Sequence, residues 1–260
     1  MKKLLFLFIV SSLMFSACKK DPVATDNGLN PTSTQNGFAV NYTATWCFYC
    51  GDWGELLTHD YANAAPNGAI VASHAASDPM TNNLYASFTA DRTTGGGIPS
   101  FWVGDVMTTS AGAMTALLSQ AAPCGVDYKY SVSGSTMTID TKTKFFSAAT
   151  GDYYLSVLIV EDGINGNSTA GNYAQNGVTN SYPNDDFKHD FVLRASNVAG
   201  NAYGVLITQN PAADFTIDKS FTIALDPTWK NPYAECIIWK HESSGAVPKY
   251  KYMNSLRKKM

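Results

Sequence analysis

Two cysteines separated by two residues, in the run Trp46-Cys47-Phe48-Tyr49-Cys50, constrain this chain most strongly. The spacing places the second sulfur almost one helical turn after the first, so the pair can close a small disulfide ring with little backbone movement. If Cys47 lies at the first turn of a helix, the positive end of the helix dipole favours its thiolate. The pattern predicts that Cys47 attacks a partner and that Cys50 resolves the mixed disulfide.

The same spacing also occurs in half of a zinc site and in structural disulfides that never exchange. A zinc site would need two of the four histidines to join Cys47 and Cys50, and no second pair of residues has metal-ligand spacing. We therefore expect no metal and no cofactor. Phe48 and Tyr49 bring no charge between the thiols, so the helix end must lower the thiol pKa.

The residues around the dithiol predict a strand before it, over residues 37–42, and a helix after it, over residues 52–65. Later, the Gly95-Gly96-Gly97 turn is followed by Ile98-Pro99 and a further strand. This order resembles the thioredoxin superfamily, in which W-C-x-x-C opens a helix and a cis-proline loop packs beside the sulfurs. The resemblance implies that Ile98-Pro99 is that loop.

By the same resemblance, Cys47, Cys50 and Pro99 form the catalytic site, Trp46 and Ile98 support it, and Pro99 shapes the groove for a partner strand. Thioredoxins carry a buried acid six residues before the first cysteine.

In this chain that position is Asn41, and an amide cannot act as a general base. Asp52 and Glu55 follow the dithiol, but an exposed helix face explains both more simply. The sequence therefore offers no clear proton acceptor for Cys50.

Strand and helix patterns alternate between residues 37 and 122, which is typical of an α/β layer. We predict strands over residues 37–42, 69–74 and 100–106, and helices over 52–65, 80–91 and 111–122. After Pro123 the pattern changes to strands over residues 126–132, 137–144, 153–160, 187–195, 202–208, 215–225 and 233–240, with a hairpin turn at Ser133-Gly134-Ser135. The predicted fold is an α/β thioredoxin-like domain, 37–122, followed by an antiparallel β-sandwich domain, 123–260.

The second half carries a further resemblance. The run from Leu155 to Gly163, then Gln175-Asn176-Gly177, then the run from His189 to Ala195, resemble the twenty-eight-kilodalton outer-membrane-protein family of Bacteroidota. That family joins a thioredoxin-like domain to a β domain. His74, followed by Asp78-Pro79, fits its pattern and is expected near the active site, whereas His189 is expected to pair with Arg194 inside the β domain.

The first residues predict export. Two lysines precede a short apolar run that ends in Ser16-Ala17-Cys18, which is typical of a signal peptide over residues 1–17 and not of a membrane span. Ser-Ala-Cys resembles a bacterial lipobox, which implies that Cys18 is lipidated and holds the protein at a membrane. The polar residues 18–36 are predicted to be a tether.

Two further cysteines, Cys124 and Cys236, are interpreted either as a structural bridge or as buried free thiols. With 18 basic and 21 acidic residues the net charge is −3, and no basic stripe indicates nucleic-acid binding.

The sequence predicts a lipid-anchored cell-envelope thiol-disulfide oxidoreductase acting on the thiols or disulfides of exported proteins. Its expected location is the outer membrane, on the periplasmic or the cell-surface side. The alternative is a non-catalytic surface lipoprotein in which the β domain and its long loop, residues 162–186, bind a protein or a glycan.

Overall fold

The structure is a computed structural model that describes residues 27–166, 173–178, 187–243 and 245–259. Within these ranges the chain is rich in β-structure and has few helices. The helices are α1 (Glu55–Ala64), α2 (Asn83–Asp91) and α3 (Ala113–Leu118). The strands are β1 (Phe38–Thr43), β2 (Ala69–His74), β3 (Ser100–Val103), β4 (Val106–Met107), β5 (Cys124–Ser133), β6 (Thr136–Phe145), β7 (Asp152–Glu161), β8 (Ile164–Asn165), β9 (Lys188–His189), β10 (Val192–Ser196), β11 (Val205–Gln209), β12 (Thr216–Ala224), β13 (Pro232–His241) and β14 (Tyr250–Arg257).

A nine-stranded mixed sheet runs through both halves of the chain, in the order β14-β13-β7-β10-β2-β1-β3-β4, with β11 also paired to β7. β1 is parallel to β2 and antiparallel to β3. The halves meet where Val192 of β10 pairs with Ala72 of β2. The sequence predicted an α/β domain followed by a separate β-sandwich domain. The structure instead has one mixed sheet that contains strands from both sides of Pro123.

A second sheet, β12-β6-β5, covers one face of the strands β7 and β13. Every second residue of β6 is buried, from Met137 to Phe145, as expected for a strand with one face on a core. The opposite face of β7 and β13 contributes Leu158 and Trp239 to the core that also holds β1, β2 and the helices. The dithiol half thus rests on a sheet that the second half completes.

Some predicted elements differ from those observed. The predicted strand 187–195 is divided into β9 and β10, and β14 was not predicted. β14 was missed because its buried residues include polar ones, such as Asn254, whose side-chain amide donates to Cys124 O at 2.8 Å. Such a strand lacks the apolar alternation that sequence reasoning relies on.

The described part of the predicted tether, from Asn27 onward, lies against the folded chain. Leu29 is buried, and Asn30 N donates to the Asp127 carboxylate at 2.8 Å. Asn36 N likewise donates to Asn254 Oδ1 at 2.9 Å. The predicted signal peptide and Cys18 lie outside the described residues.

Cys124 and Cys236 are buried free thiols and form no bridge. Burial raises the pKa of Cys124 to about 12 and raises that of Cys236 well above its usual value. A thiol with a raised pKa is a poor nucleophile at neutral pH. Cys124 and Cys236 are therefore unsuited to thiol exchange.

One buried acid predicts a pH-dependent stability. Glu235 in β13 is fully buried, and burial raises its pKa to about 8 despite the opposing charge of Arg257. Because the folded-state pKa is above the unfolded value of 4.5, the protein has its full stability with Glu235 protonated below pH 4.5. The unfolding free energy then falls as pH rises from 4.5 through 8. Between pH 5 and pH 8.5 we expect the unfolding free energy of Glu235→Gln to rise by roughly 4 kcal/mol relative to that of wild type.

Urea unfolding at the two pH values measures this gain. Glu242→Gln is the matched control, since Glu242 lies at the surface beside Lys240. A Glu235→Gln effect that is the same at both pH values would contradict the assigned ionisation.

Candidate active site

The dithiol lies at the point where β1 passes into a helix. Cys47 N donates to Ala44 O at 3.2 Å, which closes a turn after the strand. Cys47 Sγ then accepts a hydrogen bond from Cys50 N at 3.2 Å, in the manner of a helix N-cap side chain. A π-helical turn, Cys50–Gly54, leads directly into α1. The helix therefore begins before the predicted residue 52, and its amino end faces Cys47 Sγ.

Cys47 and Cys50 form a disulfide with a Cα–Cα distance of 5.2 Å. Cys47 is 7% exposed and Cys50 is 2% exposed, so Cys47 is the more accessible of the two residues. This difference agrees with an exchange in which Cys47 is the attacking and attacked sulfur and Cys50 is the resolving one.

The proline loop lies against the disulfide. The Ile98–Pro99 peptide is cis, and Cys47 Sγ is 3.7 Å from Ile98 O. Ile98 also packs against the small buried cluster that contains Cys47 and Cys50. The structure thus brings together four residues that the sequence placed in the site.

Exposed aromatic side chains surround the disulfide. Trp46, Phe48 and Tyr49 are each more than half exposed, and Trp53 is 37% exposed. A groove of about 450 Å³ lies on the proline side of the dithiol. Its lining includes Tyr49, Trp53, Ile98, Pro99, Phe101 and Met107. An apolar segment of a partner chain could bury its side chains here.

His74 is connected to the dithiol through Asp78. Its Nδ1 lies 3.0 Å from Asp78 Oδ1, and Asp78 Oδ2 accepts hydrogen bonds from Thr45 N and Thr45 Oγ1. Burial alone would raise the pKa of Asp78, but the hydrogen bond and charge of His74 and the backbone N–H groups hold it well below its usual range. The pair therefore fixes the turn that precedes Cys47. Sequence reasoning noted Asp78 without giving it this role.

Asn41 stands where thioredoxins carry a buried acid, and the surroundings of this position differ from those predicted. Asn41 is buried, and its amide donates to Thr58 Oγ1 at 2.8 Å. Glu55 is also buried and lies 3.0 Å from His59 Nε2, and burial raises its pKa. The interpretation of Glu55 as part of an exposed helix face was wrong, because the fold encloses it beside His59 and Asp190.

The second half of the chain also reaches the site. Gln175 Nε2 donates to Cys47 O at 3.0 Å, and Asn176 N donates to Thr45 O at 2.8 Å.

The predicted pairing of His189 with Arg194 is wrong. His189 Nε2 bonds to Tyr173 O, and Arg194 Nε donates to Glu161 Oε2 at 2.8 Å.

In the part of the chain that the structure describes, no group of three or more His, Cys, Asp or Glu side chains is placed to hold a metal ion. In the same ranges, every helix is too short or too polar to cross a bilayer.

Comparison with protein-family models found no match, and comparison with curated protein sequences found no statistically significant one. The fold is similar to a solved structure, HBP35 of Porphyromonas gingivalis. The TM-score is 0.66 with 15% sequence identity, over 89% of this chain and 77% of that one. At this identity the similarity concerns the fold.

Proposed function

We propose that this protein is a thiol-disulfide oxidoreductase of the cell envelope that acts on exported proteins. The observation that carries the proposal is the position of the Cys47–Cys50 disulfide at a helix start, with Cys47 Sγ 3.7 Å from the carbonyl of a cis Ile98–Pro99 peptide. A purely structural disulfide requires neither the helix end nor the adjacent proline loop.

The strand arrangement supports a thioredoxin-like unit within the mixed sheet. β1 lies between a parallel β2 and an antiparallel β3, and β4 is antiparallel to β3 at the edge. The dithiol follows β1, and Pro99 immediately precedes β3. This is the order expected from the resemblance to the thioredoxin superfamily.

The exchange starts from the disulfide form. A partner thiolate attacks Cys47 Sγ, the Cys47–Cys50 bond breaks, and the Cys50 thiolate leaves and takes up a proton. The partner's second thiolate then attacks its own sulfur in the mixed disulfide and releases the Cys47 thiolate. The partner dithiol is thereby oxidised, and Cys47 and Cys50 are reduced by two electrons. The reverse sequence reduces a partner disulfide.

The aromatic groove gives the reaction a substrate class. Tyr49, Trp53 and Ile98 border it, and Ile98 also packs against the buried cluster that contains Cys47. Extended or incompletely folded polypeptides present apolar side chains next to accessible cysteines, whereas folded proteins rarely do. Exported proteins that are still forming their disulfides are therefore the proposed partners.

The proposed location follows from the first residues of the sequence. Acylation of Cys18 would hold the domain at the outer membrane, on the periplasmic or the cell-surface side, where disulfides persist. Membrane fractionation tests this anchor. We expect the natural chain in the membrane fraction and the Cys18→Ala variant, which lacks the acylated residue, in the soluble fraction.

The test of the proposed activity is redox equilibration of the chain with glutathione buffers. We expect the Cys47–Cys50 bond to open and close reversibly as a two-electron couple. Cys124→Ala is the matched control, because this buried free thiol takes no part. A bond that stays closed across the buffers in the folded protein would contradict the proposal.

A second candidate is a binding module. A groove of about 820 Å³ lies on the β half, and its volume is within the range of ligand pockets. Its lining includes Tyr130, Trp229, Tyr233, Asp162 and Lys259. Aromatic and charged side chains of this kind can bind a protein or a glycan. A disulfide that never opens in the folded protein would favour this candidate.

A further inference from the structure

Residues 173–178 of the second half lie on the backbone that carries the dithiol, and we call this segment the strap. Gln175 Nε2 donates hydrogen bonds to two carbonyl oxygens of the dithiol backbone, at 3.2 and 3.0 Å, and also lies 2.9 Å from Asn176 O within the strap. The neighbouring Asn176 binds two more, through its backbone N at 2.8 Å and its side-chain Nδ2 at 3.3 Å. The four acceptors are consecutive along the chain: Ala44, Thr45, Trp46 and Cys47.

The fit between the strap and the dithiol turn is close on both sides. A Cβ on Gly177 would lie 1.9 Å from Phe48 O, and its φ of +75° already favours glycine. A Cβ on Gly51 would lie 2.1 Å from Asn176 O. Both obstacles are backbone atoms that cannot rotate away. The two surfaces are therefore matched to within less than a methyl group.

The strap is held from behind by the β half. Tyr173 O accepts a hydrogen bond from His189 Nε2 at 2.8 Å, and Gln175 N donates to Gly166 O at 3.3 Å. Burial lowers the pKa of His189 to about 3, so the ring is neutral at physiological pH. The His189 ring also packs against His74, with ring centroids 5.7 Å apart. The anchor of the strap and the support of the dithiol turn thus meet.

We propose that the strap is a positioning element matched to the closed disulfide, with Gln175 as its positioning residue. The strap favours the oxidised form of the Cys47–Cys50 couple over the reduced form. This rests on the proposed function. Opening the disulfide must move the two sulfur atoms to non-bonded distance, and in this proposal even the small accompanying movement of the Cys47 backbone weakens the hydrogen bonds from Gln175 and Asn176. The strap also occupies the Trp46–Phe48 backbone, so partners reach Cys47 from the side of Pro99.

The test compares Gln175→Ala with wild type in glutathione buffers. Losing one or two ordinary hydrogen bonds from the oxidised form should raise the equilibrium constant for reduction by roughly fivefold to tenfold. Gly177→Ala should act in the same direction and more strongly. Gln209→Ala is the matched control, since this glutamine bonds to Asp152 at an exposed edge and should leave the constant unchanged.

Hydrogen exchange of backbone amides gives a second readout, which does not depend on thiol-disulfide activity. We expect the Asn176 N–H to exchange faster in Cys47→Ser, which cannot close the disulfide, than in the oxidised wild type. A Gln175→Ala constant equal to that of wild type, or an Asn176 N–H that exchanges equally in both forms, would overturn the strap proposal. A wild-type disulfide that never opens would instead overturn the proposed function, and the exchange rates would still test the strap.

Discussion

Cells that express the Cys50→Ser variant should accumulate proteins joined to Cys47 by mixed disulfides. With no Cys47–Cys50 bond to open, the variant forms a mixed disulfide by attack of the Cys47 thiolate on a partner disulfide, which releases the partner's other sulfur as a thiolate. The second step needs the Cys50 thiolate, which lies behind Cys47 and is almost fully buried. Without it, the mixed disulfide is released only by the partner's own second thiolate or by an outside thiol, and adducts should increase on the order of tenfold or more.

Non-reducing electrophoresis and mass spectrometry of acid-quenched cells measure these adducts. Cys47→Ser should carry none, and Cys236→Ser should match wild type because Cys236 is a buried free thiol. A Cys50→Ser variant with no more adducts than Cys47→Ser would remove the basis for the assigned roles of the two sulfurs.

Replacing Arg92 with methionine should produce a large loss of stability. The Arg92 side chain is completely buried, and its guanidinium pairs with Asp91 at 2.9 Å and Asp105 at 2.8 Å. It also donates to Tyr250 O at 2.6 Å and lies 4.8 Å from the ring centroid of Trp239. Removing one partner from a buried ion pair leaves the carboxylates without compensation, and we expect a loss of about 3–5 kcal/mol.

Chemical denaturation measures this loss, with Lys219→Met as the control because Lys219 is an exposed cation. If Arg92→Met does not fold, Arg92→Lys retains the charge and should lose less. The double variant with Asp105→Asn should lose less than the sum of the single changes, since the two groups are coupled. Strict additivity, or a loss no larger than that of Lys219→Met, would contradict this role for Arg92.

Sequence reasoning succeeded where local pattern determines structure. The strand 69–74 has the observed bounds, and the hairpin at Gly134 joins β5 and β6 as predicted. Both depend on nearby residues, through apolar content in one case and turn chemistry in the other. The cis Ile98–Pro99 peptide followed from the resemblance and not from composition.

The remaining features depend on contacts between residues far apart in the chain. The Val192–Ala72 pairing that joins the halves leaves no periodic signal. Glu55 looks like a surface acid until His59 and Asp190 enclose it. Gln175 lies in a stretch with the composition of a loop. Only the fold shows that its side-chain amide donates to the carbonyl oxygen of Cys47. Local sequence cannot encode which distant backbone a polar side chain will find.

The reduction potential of the wild-type Cys47–Cys50 couple tests the central claim most directly. Equilibration of the folded chain with defined glutathione ratios, followed by alkylation and mass analysis, gives its value. An exchanging dithiol at a helix start should titrate between roughly −120 and −270 mV, the range of protein disulfide oxidoreductases. A potential below roughly −300 mV, which is typical of structural disulfides, would contradict the account.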